Sequence, residues 1–162
     1  MQQYEPMTEY GYNKLISELK HLKEVERPNN IIEIDTAREH GDLKENAEYH
    51  AARDKQLFLD ARINELTQLV AITRVIDPKS INHDKVSFGS TVLLEDMDTE
   101  EKLCYTIVGS TESNPDKGLI SYHSPLAKQL LGKEVGDEVN VQLPKGRADY
   151  EVLEVYYKEI EF

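Results

Sequence analysis

The chain has 162 residues, enough for one ordinary domain or two small ones, and its 39% hydrophobic content is modest for a single large core. Charged residues make up 31%, which suits an elongated, surface-rich molecule better than a compact enzyme. The net charge of -12, divided about -5 and -7 between residues 1–77 and 78–162, excludes broad nucleic-acid binding, which relies on Lys and Arg to neutralise phosphates.

The N-terminus, Met1-Gln2-Gln3-Tyr4-Glu5-Pro6-Met7, has neither a basic segment nor an apolar one after it, and no run approaches 18 apolar residues. A cytoplasmic protein with no membrane partner is expected. From Thr8 to about Ile76 helix formers dominate, with Pro28 as the only proline. Thr8 is a plausible N-cap, and Leu15, Leu19 and Leu22 recur at a spacing of four then three, as one seam of a helical pair requires. Leu59, Ile63, Leu66 and Val70 repeat that spacing. Antiparallel packing makes paired positions sum to a constant: Leu15 with Val70, Leu19 with Leu66, and Leu22 with Ile63 all give 85. The same rule pairs Glu33 with Ala52 and places the turn at 42.5, beside Gly41, the one glycine between Gly11 and Gly89. Each arm then holds about 30 residues and extends about 45 Å. Pro28 predicts a bend or a loosened turn in the first arm.

The texture changes near Asp77-Pro78, which gives two expected domains, 1–77 and 78–162. In the second, strands are expected at residues 86–94, 102–108, 118–122, 138–142 and 150–156. A short helix is expected over 124–132, where Ser124 caps, Pro125 takes the first helical position and Gly132 stops it. The fold class is therefore α+β, an antiparallel α-helical coiled-coil hairpin followed by a small α+β domain. Cys104 has no partner for a disulfide or a CxxC site, and Leu103-Cys104-Tyr105-Thr106-Ile107-Val108 reads as a strand with a buried thiol.

The tip sequence His40-Gly41-Asp42-Leu43-Lys44-Glu45-Asn46 carries the chemistry. One reading is structural: Asp42 caps the second helix and Glu45, three residues on, completes a capping box, both favoured by the helix dipole. The functional reading is that two exposed carboxylates hold a divalent cation or orient water. Mg²⁺ takes about six oxygen ligands and commonly only one or two protein carboxylates, so two are too few for a self-sufficient catalytic site. Arg38 and Arg53 flank the tip and either bind a phosphate or pair with Asp35, Glu39 or Asp54. Tyr49 either stacks on a base or fills the seam opposite Thr36. His21, His40 and His50 have no ligand spacing to a second His or Cys. No nucleophile motif, phosphate loop or zinc pattern is present.

The run Ala37-Arg38-Glu39-His40-Gly41-Asp42-Leu43-Lys44-Glu45-Asn46-Ala47-Glu48-Tyr49-His50-Ala51-Ala52-Arg53 resembles the tip signature of the bacterial Gre transcript cleavage factors. A second stretch, Leu119-Ile120-Ser121-Tyr122-His123-Ser124-Pro125-Leu126-Ala127 with Leu131-Gly132-Lys133-Glu134, resembles that family's FKBP-like C-terminal domain. The resemblance covers nearly the whole chain. It implies a transcription elongation factor whose C-terminal domain docks at the rim of the secondary channel of RNA polymerase and whose hairpin reaches the active centre. There Asp42 and Glu45 would share a Mg²⁺ with the polymerase, stimulating hydrolysis of backtracked RNA without catalysing alone. Arg38, Arg53 and Tyr49 would contact the nascent RNA 3′ segment, and His123, Ser124 and Pro125 would form the docking loop. The free protein is expected to be a monomer that binds no metal stably. The stretch Asp54-Lys55-Gln56-Leu57-Phe58-Leu59-Asp60-Ala61 carries a single Lys, which favours the GreA branch over the more basic GreB branch. One alternative is a Gre paralogue that occupies the channel without promoting cleavage, against which the intact Asp42 and Glu45 weigh. Another, a peptidyl-prolyl isomerase, is poorly served by a sequence with no tryptophan and only Phe88 among the expected strands.

Overall fold

The computed structural model describes residues 3–162, which form two compact units. One unit comprises Tyr12–Thr73; the other comprises Tyr4–Gly11 together with Arg74–Phe162. The change of texture near Asp77-Pro78 predicts a hairpin over all of 1–77. The difference arises from two three-residue strands, β1 (Glu5–Met7) and β2 (Thr73–Val75), which pair in a sheet of their own. Met7 O accepts from Ile76 N–H at 2.9 Å, and the Met7 side chain is 1% exposed. Strands this short carry no alternation that a sequence reading could detect.

The first arm of the hairpin comprises α1 (Glu9–His21), a π-helical turn (Leu22–Glu26) and α2 (Arg27–Arg38). Pro28 stands in the first turn of α2, where its missing N–H costs little, and the wider π turn just before it absorbs the disruption expected there. The second arm is α3 (Ala47–Ile72), 26 residues and thus about 39 Å long. Leu15, Ile34, Ala37, Ala52, Leu59, Ile63 and Leu66 are buried along the seam, while Leu19, Leu22 and Val70 are half-buried. Arg62 Nη2 meets Glu18 Oε1 at 3.0 Å, Arg27 meets Asp60 at 3.4 Å, and Lys55 meets Glu33 at 3.2 Å, so the inter-arm pairs straddle the expected register. The hydrogen bond to Glu18 raises the Arg62 pKa above its ordinary value, against the opposing effect of burial. No helix among the described residues is long and apolar enough to cross a membrane.

The second unit is built on a five-stranded sheet of order β5-β4-β3-β7-β6, with β3 at Thr91–Asp96, β4 at Lys102–Val108, β5 at Leu119–Ser121, β6 at Glu138–Leu143 and β7 at Gly146–Tyr156. Only β4 and β5 run parallel. Helix α4 (Pro125–Leu130) covers the sheet, and Leu126, Ala127 and Leu130 join Val92, Leu94, Ile107, Val139, Val141 and Val152 in the core. The expected strand over 86–94 begins only at Thr91, because Gly89 at φ +82 turns the chain, although Val86 and Phe88 are still buried. Cys104 is exposed, not buried. The core-facing positions of β4 are Leu103, Tyr105 and Ile107, and Cys104 lies on the other parity, with Lys102.

Candidate functional site

The arms join through residues 39–46. Helix α2 gives out in overlapping bonds from Glu39, His40 and Gly41 N–H to Thr36, Ala37 and Arg38 O. Gly41 then adopts φ +99, a left-handed value that a side chain disfavours. Asp42 does not cap α3, contrary to the capping-box reading. Its Oδ1 accepts from Lys44 N–H at 3.1 Å, a turn of its own, and the cap is Asn46, whose Oδ1 accepts from Tyr49 N–H at 3.0 Å. Asn46 also donates from Nδ2 to Ala37 O at 2.6 Å, and His50 Nε2 donates to Lys44 O at 3.0 Å. The turn is thus fastened to α2 by the cap residue Asn46 and to α3 by His50. A sequence pattern could have identified Asn46, since Asn caps as well as Asp and Tyr49 lies three residues on.

Asp42 and Glu45 are both exposed and line a shallow depression with His40, Asn46, Ala47 and Glu48. His40 stands 3.7 Å from Glu48, whereas Asp42 and Glu45 make no ion pair among the described residues. Nor do three His, Cys, Asp or Glu side chains among those residues converge on one metal position. Two free carboxylates fit a cation that receives most of its ligands from elsewhere.

Arg38 lies 3.8 Å from Asp35 and 5.9 Å from the centroid of the half-buried Tyr49 ring, so these two candidate residues are brought together beside the tip. Arg53 is not part of that group: its Nη1 donates to Gln56 Oε1 at 2.7 Å, within its own helix. The candidate docking residues lie in the other unit. Ser124 caps α4, its Oγ accepting from Ala127 N–H at 3.2 Å, and Pro125 occupies the first turn as expected. His123 Nε2 sits 2.8 Å from Glu5 Oε1, a partner from β1 that sequence reading did not supply. The His123 ring also meets Tyr122 edge-on, with centroids 5.4 Å apart.

A second carboxylate in this unit is handled in the opposite way to those at the tip. Glu112 is buried and accepts from Thr8 N–H at 2.8 Å, Gly11 N–H at 3.0 Å and Gly109 N–H at 2.8 Å, as well as from the Thr8 hydroxyl. Thr8 Oγ1 in turn accepts from Gly11 N–H at 3.4 Å, the cap foreseen for α1.

Residues 5–75 match the family described as "Transcription elongation factor, N-terminal", and residues 81–157 match "Transcription elongation factor, GreA/GreB, C-term". The chain is 65% identical over 160 residues to transcription elongation factor GreA of Wolinella succinogenes, covering 99% of both chains. It is 63% identical over 158 residues to the GreA of Helicobacter hepaticus, covering 98% of this chain and 97% of the relative. Among solved structures, GreA factor homolog 1 of Thermus thermophilus aligns over 95% of this chain and 99% of its own, at 26% identity and a TM-score of 0.45.

Proposed function

The chain belongs to the GreA/GreB family of transcription elongation factors, and from that premise we propose that it acts on RNA polymerase by presenting Asp42 and Glu45 to the polymerase active centre. It is a transcription elongation factor of the GreA type. The observation that carries the mechanism is the arrangement at the tip: two exposed carboxylates outside any ion pair among the described residues, on a turn that Asn46 ties to Ala37 O and His50 ties to Lys44 O. Such a pair can supply one or two ligands to a Mg²⁺ whose other ligands come from the polymerase and the RNA. A Mg²⁺ held there would lower the pKa of bound water and so favour hydrolysis of backtracked transcript.

The chain's own residues then orient and anchor. The hairpin enters the secondary channel, Arg38 and Arg53 neutralise phosphates of the extruded RNA 3′ segment, and Tyr49 offers a face to a base. The C-terminal unit, read as FKBP-like, docks at the channel rim through the loop of His123, Ser124 and Pro125. The net charge of -12 keeps the protein from competing for bulk nucleic acid, so RNA is met only inside the complex. On this reading the protein is a cytoplasmic monomer and not a nuclease by itself.

Backtracked elongation complexes with Mg²⁺ test the proposal through the length of the labelled RNA. Wild-type protein is expected to shorten the transcript, and Asp42→Asn with Glu45→Gln is expected to dock without stimulating cleavage. If that double variant cleaves as well as the wild type, the tip mechanism is wrong. If wild-type protein binds but leaves the RNA intact, the chain is a non-cleaving channel binder. Appreciable cleavage of RNA without polymerase would overturn the claim that it is not a nuclease.

A further inference from the structure

Resting on the reading of Asp42 and Glu45 as the working groups, we propose that Asn30 and Asn46 are positioning residues that lock the register of the two arms and so fix where those carboxylates stand. Each uses its side-chain amide to reach a backbone carbonyl of the opposite arm: Asn30 Nδ2 donates to Ala52 O at 3.0 Å, and Asn46 Nδ2 donates to Ala37 O at 2.6 Å. The carbonyl-bearing residues are both alanines and both buried, which lets the backbones approach closely enough for a short amide to span the gap.

Asn30 is a poor choice for stability alone. It is 0% exposed in an otherwise apolar seam, and its Oδ1 has no hydrogen-bond partner among the described residues. Leaving a buried acceptor unmet is costly, and an apolar side chain of similar volume would pack there without that cost. What the amide adds is direction. Apolar contact is non-directional and tolerates sliding, whereas an N–H···O bond is satisfied only near 2.9 Å and close to linear. A single buried Asn fixes register in helical pairs for this reason. The surface pairs Lys55 with Glu33 and Arg27 with Asp60 cannot take over the task, because exposed ion pairs are weak and flexible. A slide of one residue shifts the tip by about 1.5 Å, and misplacement of about 1 Å can cost roughly 100-fold in rate.

Two variants test this in full-length protein. Asn30→Leu removes the bond and the unmet acceptor together. Asn46→Asp keeps a good cap for α3 but sets a carboxylate against Ala37 O in place of a donor. Register is read without polymerase by spin labels attached through E33C and K55C in a C104S background, since those two side chains meet across the arms and Cys104 is exposed. The unsubstituted hairpin should give one narrow label distance. Asn30→Leu should raise the hairpin's melting temperature by about 2–4 °C while broadening that distance and lowering stimulated cleavage about tenfold or more, with polymerase binding unchanged. A residue of merely structural value would not move stability and activity in opposite directions. Asn46→Asp should keep its helix content, broaden the label distance and lose cleavage stimulation. A single narrow distance with wild-type cleavage in both variants would overturn the proposal. Should wild-type protein itself fail to stimulate cleavage, the functional reading fails, and the label distances still decide the register.

Discussion

Replacing Glu112 removes the shared acceptor of three backbone N–H groups and one hydroxyl, all within the unit that contains Tyr4–Gly11 and Arg74–Phe162. The carboxylate has no cationic partner among the described residues and is held by N–H dipoles, two of them, from the cap residue Thr8 and from Gly11 in the first turn, at the N-terminus of α1, where the helix dipole favours a negative charge. Each buried donor left unmet costs about 1–3 kcal/mol. In Glu112→Ala some of the three regain water through the space opened, so a net loss of about 3–5 kcal/mol is expected, comparable to breaking a buried charged group's contacts. Glu112→Gln keeps the volume and one acceptor, but its NH₂ must face either Gly109 N–H or the Thr8 and Gly11 pair, donor against donor. Its expected cost is roughly 2 kcal/mol. Gly11→Ala provides a control of opposite sign to helix propensity: alanine favours a helix by about 1 kcal/mol over glycine, yet a Cβ at Gly11 collides with the Glu112 carboxylate, so destabilisation is expected. Urea denaturation of the full chain, followed by tyrosine fluorescence, measures all three. If both Glu112 variants unfold within about 0.5 kcal/mol of the wild type, a span ordinary for surface changes, the account of this carboxylate is wrong.

At the tip, Gly41→Ala should cost about 1–2 kcal/mol for the left-handed backbone alone, because nothing lies within 4 Å of the added Cβ; a melt followed at 222 nm reads it. Leu66→Ala, at a seam position 2% exposed, should lower hairpin stability by about 2–5 kcal/mol, with the size set by how far the arms close over the cavity. Burial raises the phenol pKa of Tyr150 above its ordinary value, so the native state favours the protonated form. That contribution is fully present below about pH 10 and is lost as pH rises through the folded pKa. Tyr150→Phe should therefore flatten the alkaline fall in stability of the wild type, as urea midpoints at successive pH values would show.

The hairpin was legible because its signal is repetitive: aliphatic residues at a spacing of four and three on two stretches, with a glycine where the register says the turn must be. The loop chemistry inside that turn was less legible. Asp42 and Asn46 are equally good caps by type, and only the length of the turn decides that α3 starts four residues later. Cys104 shows a different limit, since a run of six residues with almost no polar member carries no parity, and the exposed face follows from pairing with neighbouring strands. Glu5, Glu112 and Asn30 were missed for a third reason. Their roles are set by partners 22 to 118 positions away, and no local pattern records such distances.

The seam of the hairpin tapers. Leu59, Ile63 and Leu66 fill it along α3 away from the turn, whereas Ala37 and Ala52 are its last buried members before the turn. Interhelical separation follows the side chains at the contact, about 8 Å for small ones and 10 Å for large. Small side chains at the distal contact therefore favour a close approach of the two arms there. On the proposed reading, in which the hairpin enters a channel of the polymerase, each ångström saved there is clearance for the RNA strand lying alongside. The alanines then set the gauge of what the hairpin can share a passage with, and a leucine at either position would tax that fit more than it strengthened the pair.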